Sequence, residues 1–309
     1  MKGITIVSLL PSATEIVFAL GLGDALEGVT HECDFPTEAR SKRIVSGTAL
    51  PDRTLTAREI DDIVSASVQS GAPIYTLDTS AIRAIGPDLI LTQDLCEVCA
   101  VPSGAVEDAL ERLGCRAEVV TLDPTGVDDV IAGIGAVGTA TGTTARAGKL
   151  MTDLRARVDA VQVAVEGRPR RRTLALEWSD PPFSAGHWVP EMITAAGGES
   201  LLGEPGVRSR RLSWSEIGTA APDVLMFMPC GYGLDQAATE GAALLDVAEL
   251  AAVPEIYALP ADALFSRPGP RVVDGIELLA SLLHPEAGAA APPAGARAIA
   301  LRAPGAREA

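Results

Sequence analysis

The sequence is short of aromatic side chains, of histidine and of positive charge. Aromatics make up 4% of it, with only three tryptophans and three tyrosines. The three histidines, His31, His187 and His284, leave few options for acid–base catalysis. Against 25 Lys and Arg stand 41 Asp and Glu, a formal net charge of −16, which is the wrong sign for a phosphate backbone and excludes nucleic acid as the expected partner. The arginine clusters 168–172 and 208–211 read as solvated loop or helix-end charge. No run approaches the roughly 20 apolar residues that span a bilayer, so membrane insertion is not expected. There is no P-loop, no nucleophile-elbow serine motif and no paired-histidine zinc motif. Gly133, Gly135 and Gly138 match the spacing of a dinucleotide fingerprint, but no strand leads into them and they lie inside a helical pattern. No catalytic centre assembles, which favours a binding protein over an enzyme.

Leader character is also missing. The first ten residues carry one basic side chain, a short apolar run and no small-x-small cleavage pattern, so they read as the first strand and the chain is expected to be cytoplasmic. Its five cysteines are then expected as thiols, free or metal-bound, rather than as disulfides.

What is present is a 309-residue chain, 47% hydrophobic, with room for two cores. Apolar runs of strand length alternate with helical patterns, the signature of βα units and a mainly parallel sheet. The expected strands are Ile4–Leu9, Ile74–Leu77, Leu89–Leu91 and Ala117–Leu122, then Thr173–Glu177, Val224–Met228 and Glu255–Ala258. Helices are expected at Ala57–Ser70, Ser103–Leu113 and Val127–Ala140. From Thr143 to Glu166, Ala147, Leu150, Met151, Leu154, Val158, Val161 and Val165 recur at helical spacing. Thr143 is positioned to cap this helix, and Gly167 with Pro169 ends it. At about 1.5 Å per residue it would run about 36 Å, enough to connect two domains. The expected architecture is an α/β fold of two Rossmann-like lobes with mainly parallel sheets, joined by one long helix. Its boundaries fall at residues 1–142, 143–167 and 168–285, followed by a disordered Ala/Pro-rich tail over 286–309.

The halves share short patterns in the same order. Thr14–Gly21 resembles Pro190–Gly197, and Pro87-Asp88 before Leu89 resembles Pro222-Asp223 before Val224. Ile4–Leu9 and Thr173–Glu177 are then counterparts. Ligands of open parallel sheets bind beyond the carboxyl ends of the strands, which places a ligand between the lobes, against Pro11–Thr14, His31–Pro36, Gln93–Pro102, Trp178–Trp188 and Pro229–Gly233.

Four cysteines fall in those loops: Cys33, the Cys96-x-x-Cys99 pair and Cys230. Together they suit zinc, an iron–sulfur cluster or another thiophilic ion; the pair alone suits redox chemistry; and isolated loop thiols are the plain alternative. Cys115, at a helix-to-strand turn, reads as a small buried residue. Trp178 and Trp188 flank a Pro- and Gly-containing loop with His187, suited either to gripping a large flat ligand or to anchoring the loop on the core. Arg267 and Arg271 bracket Pro268-Gly269-Pro270, a rigid basic loop that either holds a polar group of the ligand or turns into the helix Val272–Leu283. Ser12-x-x-Glu15 has the form of a capping box, and Glu191 after Pro190 suits a helix N-terminus.

Residues Ile6–Ile16, Gly186–Ile193 and Arg267–Arg271 resemble the cobalamin- and siderophore-type substrate-binding proteins, nearest to the cobalamin branch, over roughly residues 3–284. The resemblance implies two lobes on a connecting helix with cobalamin or another corrinoid between them. It makes Pro11, Ser12, Ala13, Thr14, Cys33, Cys96, Cys99, Trp178, His187, Trp188, Cys230, Arg267 and Arg271 the expected contacts. It also implies that Glu15 and Glu191 dock on a permease. The expected function is a cytoplasmic carrier of a corrinoid or similar small-molecule metal chelate, passing it to a permease or another corrinoid-handling protein. Two alternatives stand beside it: a cysteine-ligated metal or iron–sulfur protein with redox function, and an ABC-transporter substrate-binding component whose signal peptide precedes the given start.

Overall fold

Parallel β-structure dominates the chain because its strands are apolar on both faces. A computed structural model describes residues 3–51, 55–70, 72, 74–94, 103–106, 110, 116–288, 292–293 and 295–303. The chain divides into two compact units, residues 1–124 with 129–152, and residues 125–128 with 153–309.

In the first unit β1 (Ile6–Ser8), β2 (Leu26–Val29), β3 (Arg43–Ile44), β6 (Leu89–Thr92) and β7 (Glu118–Thr121) form one sheet in the order β3-β2-β1-β6-β7. Every pairing in it is parallel. The short β4 (Ser46–Thr48) and β5 (Tyr75–Leu77) pair antiparallel beside it. β1 and β6 are wholly buried, as a strand covered by helices on both faces must be. Val7, Leu9, Val45, Ile82 and Ile90 form the core on one side.

In the second unit β8 (Arg171–Ser179), β10 (Gly198–Ser200), β11 (Val224–Phe227) and β12 (Glu255–Ala258) pair parallel in the order β10-β8-β11-β12. Two antiparallel strands extend this sheet, β9 (Pro182–Ser184) on β8 and β13 (Ile299–Arg302) on β12. The core is built from Leu174, Leu176, Ile217, Leu225, Phe227, Leu250 and Ile256. Strand β13 corrects the expectation of a disordered tail over 286–309. Its composition is poor in large apolar residues, but Ile299 and Leu301 alternate with the exposed Ala300, and that short alternation is enough once a sheet edge is on offer.

The internal repeat has a physical basis. Asp88 accepts a hydrogen bond from the Thr5 N–H at 2.8 Å and donates its own N–H to the Thr5 carbonyl at 2.9 Å. Asp223 does the same to Arg172, at 2.9 and 2.8 Å. Pro87 and Pro222, both buried, precede these clamps. The matching helices Pro11–Ala19 and Val189–Ala195 each carry proline in the first turn and close on a glycine of positive φ, Gly21 (68°) and Gly197 (85°).

The helix Thr144–Val165 is continuous, its residues to Thr152 assigned to the first unit and those from Asp153 to the second. In the second unit Arg157 donates to Glu277 at 2.9 and 2.6 Å and to Asp274 at 2.6 Å, tying that part of the helix to the helix Val272–Leu283. Glu277 is 3% exposed, so the pair is charge-assisted and shielded. The arginines at 168–172 are less solvated than expected: Arg171 is half-buried and bonded to Glu255 at 2.5 Å.

The glycine triplet at 133–138 lies within the helix Val127–Ala140. A Cβ on Gly138 would fall 2.4 Å from the Ala147 Cβ, whereas one on Gly133 would meet only Leu122 at 3.6 Å. A Cβ on Gly135 would meet the Met151 sulfur at 3.2 Å, so the spacing serves close helix packing at Gly138 and Gly135 and leaves Gly133 free of it.

Two predictions follow from these contacts. Asp88→Ala and Asp223→Ala should each lower unfolding free energy by about 1 kcal/mol in chemical denaturation, and the Asn variants by less, because Asn keeps an acceptor. Gly138→Ala should destabilise by about 1–3 kcal/mol through overpacking, while Gly133→Ala should stabilise by up to about 1 kcal/mol through helix propensity, both read from denaturation midpoints.

Candidate functional site

The carboxyl ends of β8, β10 and β11 lead into three loops that meet around one residue. The last three residues of β8 are Glu177, Trp178 and Ser179. The Glu177 carboxylate accepts hydrogen bonds from the Ser209 hydroxyl and from the Gly186 N–H at 3.3 Å, and the Cys230 N–H donates to the Glu177 carbonyl at 3.1 Å. One residue thus holds the loops 180–188, 201–213 and 229–233. Burial pushes its carboxyl up to about 7, with the Ser209 and Gly186 donors opposing the shift.

The loops 180–188 and 201–213 touch backbone to backbone. A Cβ on Gly186 would lie 2.3 Å from the Ser209 nitrogen, so only glycine fits there. His187 adopts φ +53°; its N–H donates to the Val207 carbonyl at 2.7 Å and its carbonyl accepts from Gly206 at 2.9 Å. Its side chain is half-buried, and Nε2 is enclosed without a hydrogen-bond partner. Desolvation lowers the imidazole pKa, with the Arg208 charge adding to the effect. Within the second arginine cluster, Arg211 lies 5.6 Å from the Phe183 ring and Arg210 pairs with Glu216 at 3.1 Å.

The two indoles have different work. Trp188 is 5% exposed and donates its ring N–H to the Phe265 carbonyl at 2.8 Å, so it anchors the loop and is not a free ligand grip. Trp178 is half-buried and meets Tyr232 edge-to-face with ring centroids 5.5 Å apart, a favourable arrangement of two quadrupoles. Tyr232 packs with Ala237 and Ala258, and burial together with Glu240 raises its hydroxyl pKa. Arg267 and Arg271 are half-buried; Arg271 leads directly into the helix Val272–Leu283.

In the first unit Cys33 is 4% exposed and lies within hydrogen-bond distance of Thr14 Oγ1 at 3.1 Å and Thr30 Oγ1 at 3.2 Å. It ties the helix Pro11–Ala19 to the loop after β2. The expected capping box is absent: that helix begins at Pro11 with Leu10 as its cap residue, without a side-chain cap. Ser12 is therefore inside the first turn, and its buried hydroxyl has no partner. Pro11 is half-buried, and Ala13 and Thr14 are fully enclosed. Glu15 is 4% exposed, and Glu191 accepts the Val127 N–H at 2.7 Å.

Cys230 is exposed and unbonded to sulfur. Cys96, Cys99 and Cys115 lie outside the described residues, and among the described residues no group of three or more His, Cys, Asp or Glu is arranged to hold a metal. No helix among them is long and apolar enough to cross a membrane. Glu177, Ser209 and Tyr232 were not singled out from the sequence. Glu177 had one signal, an acid ending an otherwise apolar strand; Ser209 had none, since its arginine-rich surroundings look solvated.

These features are those of an α/β binding protein, and the chain belongs to the periplasmic binding protein family, whose profile matches residues 6–258. It is 25% identical over 286 residues, 90% of this chain and 88% of the relative, to a vitamin B12-binding protein of Vibrio cholerae serotype O1. Among solved structures it resembles the periplasmic vitamin B12-binding protein of Vibrio cholerae (TM-score 0.65, 23% identity, 90% of this chain and 96% of that one). It also resembles a periplasmic heme-binding protein of Roseiflexus sp. RS-1 (TM-score 0.66, 23% identity, 93% and 100%).

The Glu177 geometry predicts a pH effect. A carboxyl whose folded pKa is raised to about 7 binds a proton more readily folded than unfolded, so its stabilising contribution is full at low pH and is lost as pH rises toward 7. Glu177→Gln should flatten that part of the stability–pH profile. Ser209→Ala, which removes an opposing donor, should move it to higher pH. Thermal melts between about pH 4 and pH 8 check both.

Proposed function

We propose that this protein is the substrate-binding component of an ABC-type importer and that its ligand is a corrinoid, cobalamin or a close relative. The family supports the transport reading over that of a stand-alone redox protein. The observation that carries the ligand class is the Trp178–Tyr232 pair at the strand ends of the second unit, a half-buried indole set edge-to-face against a buried phenol ring, in the unit that also carries the exposed Cys230 and the half-buried His187. A ligand with a large, flat, partly apolar macrocycle gains contact area from such rings at small entropic cost. Likeness to vitamin B12-binding proteins along most of the chain supports a corrinoid in particular. Cys230 and His187 are then candidates to lie near the central metal of the ligand, which is cargo and not a resident cofactor. In this reading the protein works on the side of the membrane from which ligand is taken up, and cell fractionation of the native host checks that against the cytoplasmic expectation.

The purified protein is to be titrated with cyanocobalamin, aquocobalamin and, for comparison, hemin, following visible spectra and melting temperature. Cobalamin at about 100 times its dissociation constant should stabilise the fold by about 2.7 kcal/mol, and Trp178→Ala should weaken binding about tenfold or more. Absence of both stabilisation and spectral change with the cobalamins overturns the corrinoid reading, and a response to hemin alone replaces it with a porphyrin.

A further inference from the structure

The C-terminal strand β13 packs on the small cluster that also seats the aromatic pair. It runs antiparallel along β12, with Tyr257 opposite Ala300 and Ala258 opposite Ile299. Beyond this pairing the Arg302 guanidinium donates to the carbonyls of Leu250 at 2.6 Å and Val253 at 2.9 Å, two backbone acceptors in the turn that leads into β12. On the inner face of β13, Leu301 packs against the main core of the unit and leaves no space for a Cβ on Gly241, which would fall 2.6 Å from it. Ile299 and Leu301 both pack on the small cluster of Tyr232, Ala237 and Ala258 that also receives Trp178. Around that cluster Ser179, next to Trp178, donates to Glu240 at 2.8 Å, on the helix Leu234–Gly241. The cluster thus brings together Tyr232, that helix and the returning tail.

We propose that the strand Ile299–Arg302 is a positioning strap for the Trp178–Tyr232 pair, with Arg302 as its lock and Ile299 as the contact that sets the Tyr232 ring. The strap does not touch ligand in this proposal; it acts through the pair. The physical reason is packing. A ring that is 8% exposed keeps one orientation only if every side is filled, and without β13 the cluster that seats Tyr232 loses Ile299 and Leu301 while the edge of β12 is left open. A partner ring in edge-to-face contact then loses its reference, and a preformed contact surface becomes one that must be ordered when ligand binds. The inference rests on the corrinoid reading for its ligand and on the packing around Tyr232 for everything else.

The test uses the full chain with Ile299→Ser and Arg302→Ala, a variant lacking residues 289–309, and Trp178→Phe as spectroscopic reference. Two signals are read: the Trp178 contribution to near-ultraviolet circular dichroism, taken as the difference from the reference, and the dissociation constant for cyanocobalamin. The expected result is a reduced Trp178 signal in all three strap variants and cyanocobalamin affinity at least tenfold weaker. A synthetic peptide of residues 292–303 added to the truncated protein should restore both, which a general loss of stability would not allow. If the truncated chain does not fold, the two point variants decide. Unchanged Trp178 signal and unchanged affinity in Ile299→Ser and Arg302→Ala overturn the strap. Failure of wild-type protein to bind cyanocobalamin overturns the ligand reading instead, and the circular dichroism arm still decides the strap by itself.

Discussion

Both sheets are set in register by an aspartate that grips the backbone at the start of a central strand. Asp88 on Thr5 and Asp223 on Arg172 each make two hydrogen bonds, one given and one received, to a single residue. Register in a sheet buried on both faces is unforgiving, because a slip of one residue exchanges the two faces of a strand. Once β1 is aligned with β6 and β8 with β11, the strand-end segments of each unit are placed, including Glu177 and Trp178 at the end of β8 and Cys230 just beyond β11.

Within the second unit the loops are tied together by backbone hydrogen bonds, by ring contacts and by Glu177. Glu177 gathers three loops through one carboxylate and one carbonyl. That economy has a cost: a carboxyl withdrawn from water and held by only two donors is forced toward its neutral form. Gly186 and His187 show the same compression in backbone terms, one with no room for a Cβ and the other at positive φ. Departures from unstrained local structure concentrate where binding loops are shaped, and Gly186 and His187 lie in the loop between β9 and the helix Val189–Ala195.

The sheet of the second unit also solves an edge problem with its own tail. A free edge on β12 would offer unpaired backbone groups to any passing strand. Covering it with β13 pairs that edge, and Ile299 and Leu301, which come with the strand, pack on the cluster of Tyr232, Ala237 and Ala258.

Much of the fold was legible along the chain. The buried strands were found because apolar runs of four to six residues between turn signals have few other uses, and the helices Ala57–Ser70 and Val127–Ala140 because their spacing is helical throughout. The Pro-Asp repeat was visible too, although its mechanism, a carboxylate reaching a backbone 83 or 51 residues away, was not. The site was far less legible. Cys33 looked like a ligand until Thr14 and Thr30 closed on it, Trp188 like a grip until its ring N–H found Phe265, and Glu177 like the end of a strand until Ser209 arrived from another loop. The tail looked structureless because an Ala/Pro composition supplies little burial by itself, yet a strand of four residues needs only a partner edge. Local pattern therefore determined which segments became strands and helices and in what order, since periodicity and turn chemistry act over a few residues. Tertiary structure alone decided which thiol, indole and carboxylate were free and which were spent on holding loops, because hydrogen-bond partners distant in sequence are chosen only when the fold brings them within 3 Å or so.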